Sequence, residues 1–246
     1  MSIDRERVTR RRPREADFAL SRDDLRAVTA FASAAAEVVL PYFELRCPED
    51  ARPRHALDAA LAVARGDPRS RTQRVSAPAA HRAAREASSE VAFHAAMAAG
   101  DAAGSAYLHP LADPAQVKHI LRAPAHAIRV FELADSSDEF SDLGFLAEHF
   151  ASYATVQLCS VLRRYPRISA MSGGSSAMSG GSNAMSGRSA EGPDDSDEGP
   201  GRTVADTNRI NRLMYELDVQ LRGQPPAVSE QPSAESGQPS AESEQP

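Results

Sequence analysis

Residues 21–40 read SRDDLRAVTAFASAAAEVVL, and their periodicity decides the fold. Ser21 offers a hydroxyl to the free N–H groups of a first helical turn, and Asp23 and Asp24 suit the positive end of the helix dipole. Leu25, Val28, Ala32, Ala35 and Val39 then recur at three- and four-residue intervals, which makes one apolar helical stripe. Alanine has the best intrinsic helix propensity and is depleted in strands, so a core drawn from Ala, Leu and Val favours closely packed helices. Pro41 is expected to kink or end this helix.

The pattern repeats downstream. A second helix starts near Arg52-Pro53, with proline at a first-turn position where its missing N–H does no harm. Ala56, Leu57, Ala60, Leu61 and Ala64 form its buried face, and Gly66-Asp67-Pro68 stops it. A third covers roughly 71–87, with Pro78 predicting a kink or a delayed start. The fourth runs from a Ser89 cap through Val91, Ala95, Ala98, Ala102 and Ala106 to Leu108, and Gly100 and Gly104 predict close approach by a neighbour. In YLHPLADPAQVKHIL (107–121), His109-Pro110 ends the fourth helix, Asp113 caps the fifth and Pro114 takes its first position; Pro124 interrupts it. Phe140, Leu143, Leu146, Phe150, Tyr153 and Val156 predict a long, amphipathic sixth helix ending near Arg163-Arg164.

The expected fold is therefore all-α: a bundle of about six helices over 21–166, preceded by a basic disordered arm at 1–20. After Pro166 the chemistry changes. AMSGGSS, AMSGGSN and AMSGRSA form a seven-residue tandem repeat from Ala170, which with the acidic run after it reads as a linker over 167–202. Ile210, Leu213, Met214, Leu217 and Leu221 mark a short amphipathic helix within 203–222, which must dock on something because an isolated helix of that length is marginal in water. Residues 223–246 read as a disordered tail.

Composition narrows the function classes. Cys47 and Cys159 stand far apart with no metal-like spacing and read as reduced thiols. No apolar run is long enough for a membrane span and the first residues are rich in arginine, so the expected compartment is the cytoplasm, with no membrane partner. His119 and His126 lie two helical turns apart, about 10.5 Å of rise, too far for both to reach one zinc ion. There is no strained serine elbow and no glycine-rich phosphate loop, so neither a catalytic residue nor a cofactor is expected. Arginines crowd residues 52–85 and acids crowd 113–148, within a chain of net charge −6. That asymmetry reads either as a surface pairing with itself or as a dipolar face steering a charged protein partner.

RPRHALDAALAVARG (52–66), AAHRAARE (79–86) and AYLHPLADPAQVKHIL (106–121) together resemble the immunity-protein family of bacterial, especially actinobacterial, polymorphic toxin systems, whose members often carry an exonuclease label. The likeness spans roughly 21–134 and falls on Arg52, Pro53, Arg54, Asp58, His81, Arg82, Arg85, Tyr107, His109, Pro110, Gln116, Lys118, His119 and Ile120. Pro78 and Pro124 depart from it, and Asp101 stands where related sequences tend to carry histidine. The resemblance implies an all-helical module that binds and blocks a cognate protein toxin. Arg52, Arg54, Asp58, His81, Arg82, Arg85, Tyr107, His109, Lys118 and His119 are then interface or helix-junction residues, with Arg54 and Asp58 expected as an i, i+4 pair and His109 and His119 as hydrogen-bonded partners at the core rim. Two alternatives stay open: nucleic-acid association through the arginine-rich arm and face, and a helical enzyme using His109, His119 and Lys118.

Overall fold

A computed structural model describes residues 17–134, 143–169 and 204–223. Among these residues the protein is all-α. The helices are α1 Arg22–Glu44, α2 Arg52–Arg65, α3 Arg71–Glu86, α4 Glu90–Ser105, α5 Lys118–Ala134, α6 Leu143–Ala151, α7 Val156–Arg163 and α8 Val204–Gly223, with a single 3-10 turn, Pro114–Val117, leading into α5. Residues 1–16 of the basic arm, the heptad repeat, the acidic run and residues 224–246 of the tail lie outside the described residues.

Helix α4 is the axis of the bundle, packed by α1, α2, α3 and α5. Its Ala92, Ala95, Ala96, Ala98, Ala99, Ala102 and Ala103 are all fully buried. A helix buried on nearly every side needs small residues on nearly every side, since bulky ones would hold its neighbours off. The larger apolar groups come from outside it, chiefly Leu40 and Phe43 of α1, Leu57 of α2, and Ile120, Leu121 and Ile128 of α5.

Local signals set the helix ends. Ser21 and Asp24 form a capping box, Ser70 and Gln73 form another, and Ser89 caps α4. The Gln73 amide also donates to the Ala59 carbonyl at 2.9 Å, which fixes α3 against α2. Gly66 closes α2 in the left-handed region, φ +117°, where a side chain would be strained.

The prolines do not end their helices. Helices α1, α3 and α5 run through Pro41, Pro78 and Pro124. Pro78 faces solvent, where the carbonyl freed by its missing N–H is accessible to water. Around Pro41 and Pro124 the flanking Leu40, Phe43, Leu121 and Ile128 are fully buried, and their burial outweighs the lost hydrogen bond. The fourth helix stops at Ser105, earlier than its alanine periodicity predicts. The long sixth helix is two helices. Tyr153 N–H and Ala154 N–H bond three residues back to Phe150 and Ala151, which tightens the chain into a turn, and Thr155 recaps it by accepting from Leu158 N–H at 3.2 Å.

Helix α8 docks on α5, α6 and α7. Leu213, Leu217 and Leu221 are fully buried, and polar contacts set its register. Asp206 meets Arg129 at 3.0 Å, Arg209 meets Glu132, and Arg222 donates to the Tyr165 carbonyl at 3.1 Å.

One buried carboxylate ties the two ends of the described bundle. Asp24 caps α1 through the Ser21 N–H (2.8 Å) and accepts a two-pronged bond from Arg164 (2.7 and 3.1 Å) and another from Gln157. Burial by itself raises its pKa, but the bonds from Arg164, Ser21 and Gln157 more than offset that and hold the carboxyl below its ordinary value. Asp24→Ala removes a cap and leaves Arg164 without its carboxylate partner; we expect a loss of about 2–3 kcal/mol in urea unfolding at pH 7, and a smaller loss at pH 3, where the wild-type unfolded chain binds a proton that the folded carboxylate resists.

Candidate functional site

The polar side chains buried against α4 converge on one seam. His94 and Asp101, two turns apart on α4, face His126 and Arg122 of α5, and His81 of α3 reaches over from the other side. Asp101 Oδ1 lies 3.3 Å from His81 Nε2, and its Oδ2 lies 3.6 Å from both His126 Nε2 and Arg122 Nε. His126 Nδ1 and His94 Nδ1 are 2.8 Å apart. His94 is fully buried and His126 is 4 % exposed.

Electrostatics assigns the protons. Burial raises the Asp101 pKa, but the charge of Arg122 and the bond from His81 outweigh it, so the group is held below the ordinary carboxylate value and is ionised. Burial also pushes His126 well below 6.5 and, with help from Arg129, pushes His94 down to about 4, so both are neutral at pH 7. A neutral His126 beside a carboxylate places its hydrogen on Nε2, since a lone pair there would be repelled. Its Nδ1 is then an acceptor, and His94 donates from Nδ1. That leaves His94 Nε2 as a buried lone pair without a hydrogen-bond partner. Such an atom costs about 1–3 kcal/mol, which an apolar side chain in its place would not.

Gly100 makes the seam possible. A Cβ there would overlap the His81 ring and stand 3.1 Å from the Ala77 carbonyl. Gly104, expected to play the same part, has nothing within 4 Å of its virtual Cβ.

The seam forms the floor of a cleft of about 440 Å³ between α3, α4, α5 and α8. Arg85, Lys118 and Arg122 line it with His94 and His126; Phe93, Met97 and Met214 supply apolar wall, and Asp206 stands at the α8 side. Lys118, Arg122 and His126 follow one another at four-residue spacing, so α5 turns a single face into it.

The residues singled out from sequence are scattered by the fold. Arg52 is bound to Asp50 and Glu86, and Arg54 forms a two-pronged pair with Glu44 at 2.7 and 2.9 Å; the Arg54–Asp58 pairing is not formed, and Asp58 is exposed. Glu44 wins because it lies at the end of the adjoining α1, where both guanidinium nitrogens reach it. Tyr107 donates to the Ser70 carbonyl at 2.5 Å and lies beneath Arg69 and Arg74. His109 and His119 are exposed and not hydrogen-bonded to each other. The junction at 107–117 is instead held through the His109 backbone, whose N–H donates to Gln116 (3.0 Å) and whose carbonyl accepts from Tyr165 (2.8 Å), together with Asp17 on the Ala112 N–H. Lys118 enters the cleft while His109 and His119 do not line it, so the three groups of the enzyme alternative do not share that cavity. Sequence reasoning missed His94, Asp101 and His126 as a set. The one available signal was that polar residues interrupt alanine-rich helical faces.

No three His, Cys, Asp or Glu side chains among the described residues are arranged to hold a metal ion. Cys159 is buried and burial raises its thiol pKa, so it serves as a small core hydrophobe. No helix among the described residues is long and apolar enough to cross a membrane.

The described residues form an all-α bundle with a cationic cleft over a buried His-Asp seam. The family model described as Imm-5 like putative immunity protein matches residues 19–143, about half of the chain and the whole of α1 to α5. The chain belongs to that family. No curated protein and no solved structure gives a match.

Two measurements check the seam. Gly100→Ala is expected to destabilise the fold by about 1–3 kcal/mol through overpacking, whereas Gly104→Ala is neutral or stabilises by up to about 1 kcal/mol; urea melts of the two variants give the comparison. The folded-state pKa values of His94 and His126 lie below the unfolded value of 6.5, so between pH 6.5 and about 4 the unfolded chain binds more protons. Stability is therefore full above pH 6.5 and falls as pH drops toward 4; the slope should flatten in a His94→Leu/His126→Leu variant followed by urea titration at several pH values.

Proposed function

We propose that this protein is an immunity protein that neutralises a cognate protein toxin in the cytoplasm by binding and occluding it, with no bond made or broken. Its membership of the immunity-protein family over α1 to α5 carries this reading.

The outer face of α3 is the contact surface the geometry favours. Arg71, Val75, Pro78, Arg82 and Arg85 recur at three- and four-residue spacing and are all exposed. Val75 is 55 % exposed, an apolar centre among arginines. Among the described residues no carboxylate lies within ion-pair distance of Arg71, Arg82 or Arg85 (contrast Arg52 and Arg54, which are held by carboxylates of their own chain). A stripe from residue 71 to 85 runs about 21 Å along the helix, comparable to the width of a protein interface. Unpaired arginines around a small apolar centre fit an acidic patch on a partner, and complementary charge speeds encounter and fixes register. The nucleic-acid alternative loses Arg52 and Arg54 as free cations.

The proposal predicts a toxin encoded in a neighbouring gene, and coexpression with that toxin tests it. Growth should be restored by the wild-type chain, and the complex should be one-to-one. Arg71→Glu/Arg82→Glu should keep the thermal midpoint, slow association by at least about tenfold at low salt and lose protection. Absence of any growth rescue by the wild-type chain counts against the function itself.

A further inference from the structure

The cleft above the His-Asp seam shares only Arg85 with the outer stripe of α3, and its chemistry calls for a different occupant. Its volume, about 440 Å³, falls in the range of roughly 300–1,000 Å³ common to small-molecule sites. Three cations line it against one carboxylate, Asp206, and that carboxylate is engaged by Arg129 at 3.0 Å. Arg122 is partly balanced by Asp101, 3.6 Å away. Arg85 and Lys118 have no ion pair among the described residues, so about two positive charges face the cleft unbalanced. One of them, Lys118, is the only lysine of the chain.

Beside the cations, Phe93, Met97 and Met214 form an apolar wall, and methionine sulfur packs well against aromatic rings. A ligand that answers both carries about two negative charges and a flat apolar body. A phosphate monoester has a charge of about −1.5 to −2 at pH 7; a single carboxylate has half of that.

We propose that the cleft between α3, α4, α5 and α8 binds a small phosphate monoester with an aromatic body. Arg85, Lys118 and Arg122 hold the phosphate, and Phe93, Met97 and Met214 cover the ring. Helix α8 lies beyond the family match at 19–143, so this chain completes the cleft with a wall the matched region does not contain.

The test is calorimetric titration of the full chain with AMP and, separately, with inorganic phosphate, at low salt and pH 7.5. AMP should bind saturably and at least about tenfold more tightly than inorganic phosphate, because only AMP uses the apolar wall. Arg85→Gln/Lys118→Gln, two exposed positions whose change should leave the thermal midpoint unmoved, should weaken AMP by at least about tenfold. No saturable binding up to about 5 mM AMP, equal affinity for the two probes, or undiminished binding in the Arg85/Lys118 variant would overturn the proposal. Toxin protection is read separately. Loss of AMP binding with protection intact leaves the immunity reading standing, and loss of protection in Arg71→Glu/Arg82→Glu with AMP binding intact leaves the cleft standing.

Discussion

Helix α4 can sit among four others only because its surface is made of methyl groups. With alanine on most buried positions, the backbones of α1, α2, α3 and α5 approach it closely, and Phe93 and His94 are the large side chains that α4 itself buries. Most of the apolar volume of the core is contributed by its neighbours, from Phe43, Leu57 and Ile120. A polar residue on a buried face of α4 is therefore drawn into the middle of the protein and must find its partners on those same neighbours. His94 and Asp101 are in that position, and Gly100 removes the one methyl that would block His81 from joining them.

This division explains which parts of the structure are legible in the sequence. The α1 stripe, the caps at Ser21, Ser89 and Asp113, the stop at Gly66 and the apolar face of α8 are local properties, and local spacing reports them. The continuity of α1, α3 and α5 through proline is not local. It depends on the buried groups flanking each proline, whose weight the spacing does not show. The break between α6 and α7 was hidden because the apolar period continues across it, while Tyr153 folds back on His149 and Phe150 and the turn tightens beneath it.

The candidate site was harder to read for the same reason. Its members come from three helices, 45 residues apart from His81 to His126, and none has a motif spacing with another. Lys118 and Arg85 could be singled out through a family likeness, but not that they share a cleft. His109 and His119, conspicuous in the sequence, proved to be surface groups on a junction whose strength lies in its backbone bonds. Polar residues in alanine-rich helices are informative when the helix is central, and centrality is a property of the assembled bundle.

The contacts between α5 and α8 have a consequence for the stretch that joins α7 to α8. Arg129 with Asp206 and Glu132 with Arg209 form a crossed pair of clasps, so the position of α8 is dictated by where it lands rather than by the length of its tether. The tether is some forty residues long and contains the tandem heptads. Because that register is set by side chains on α5 and α8 themselves, a change in the number of heptad copies leaves the same four partners available to one another.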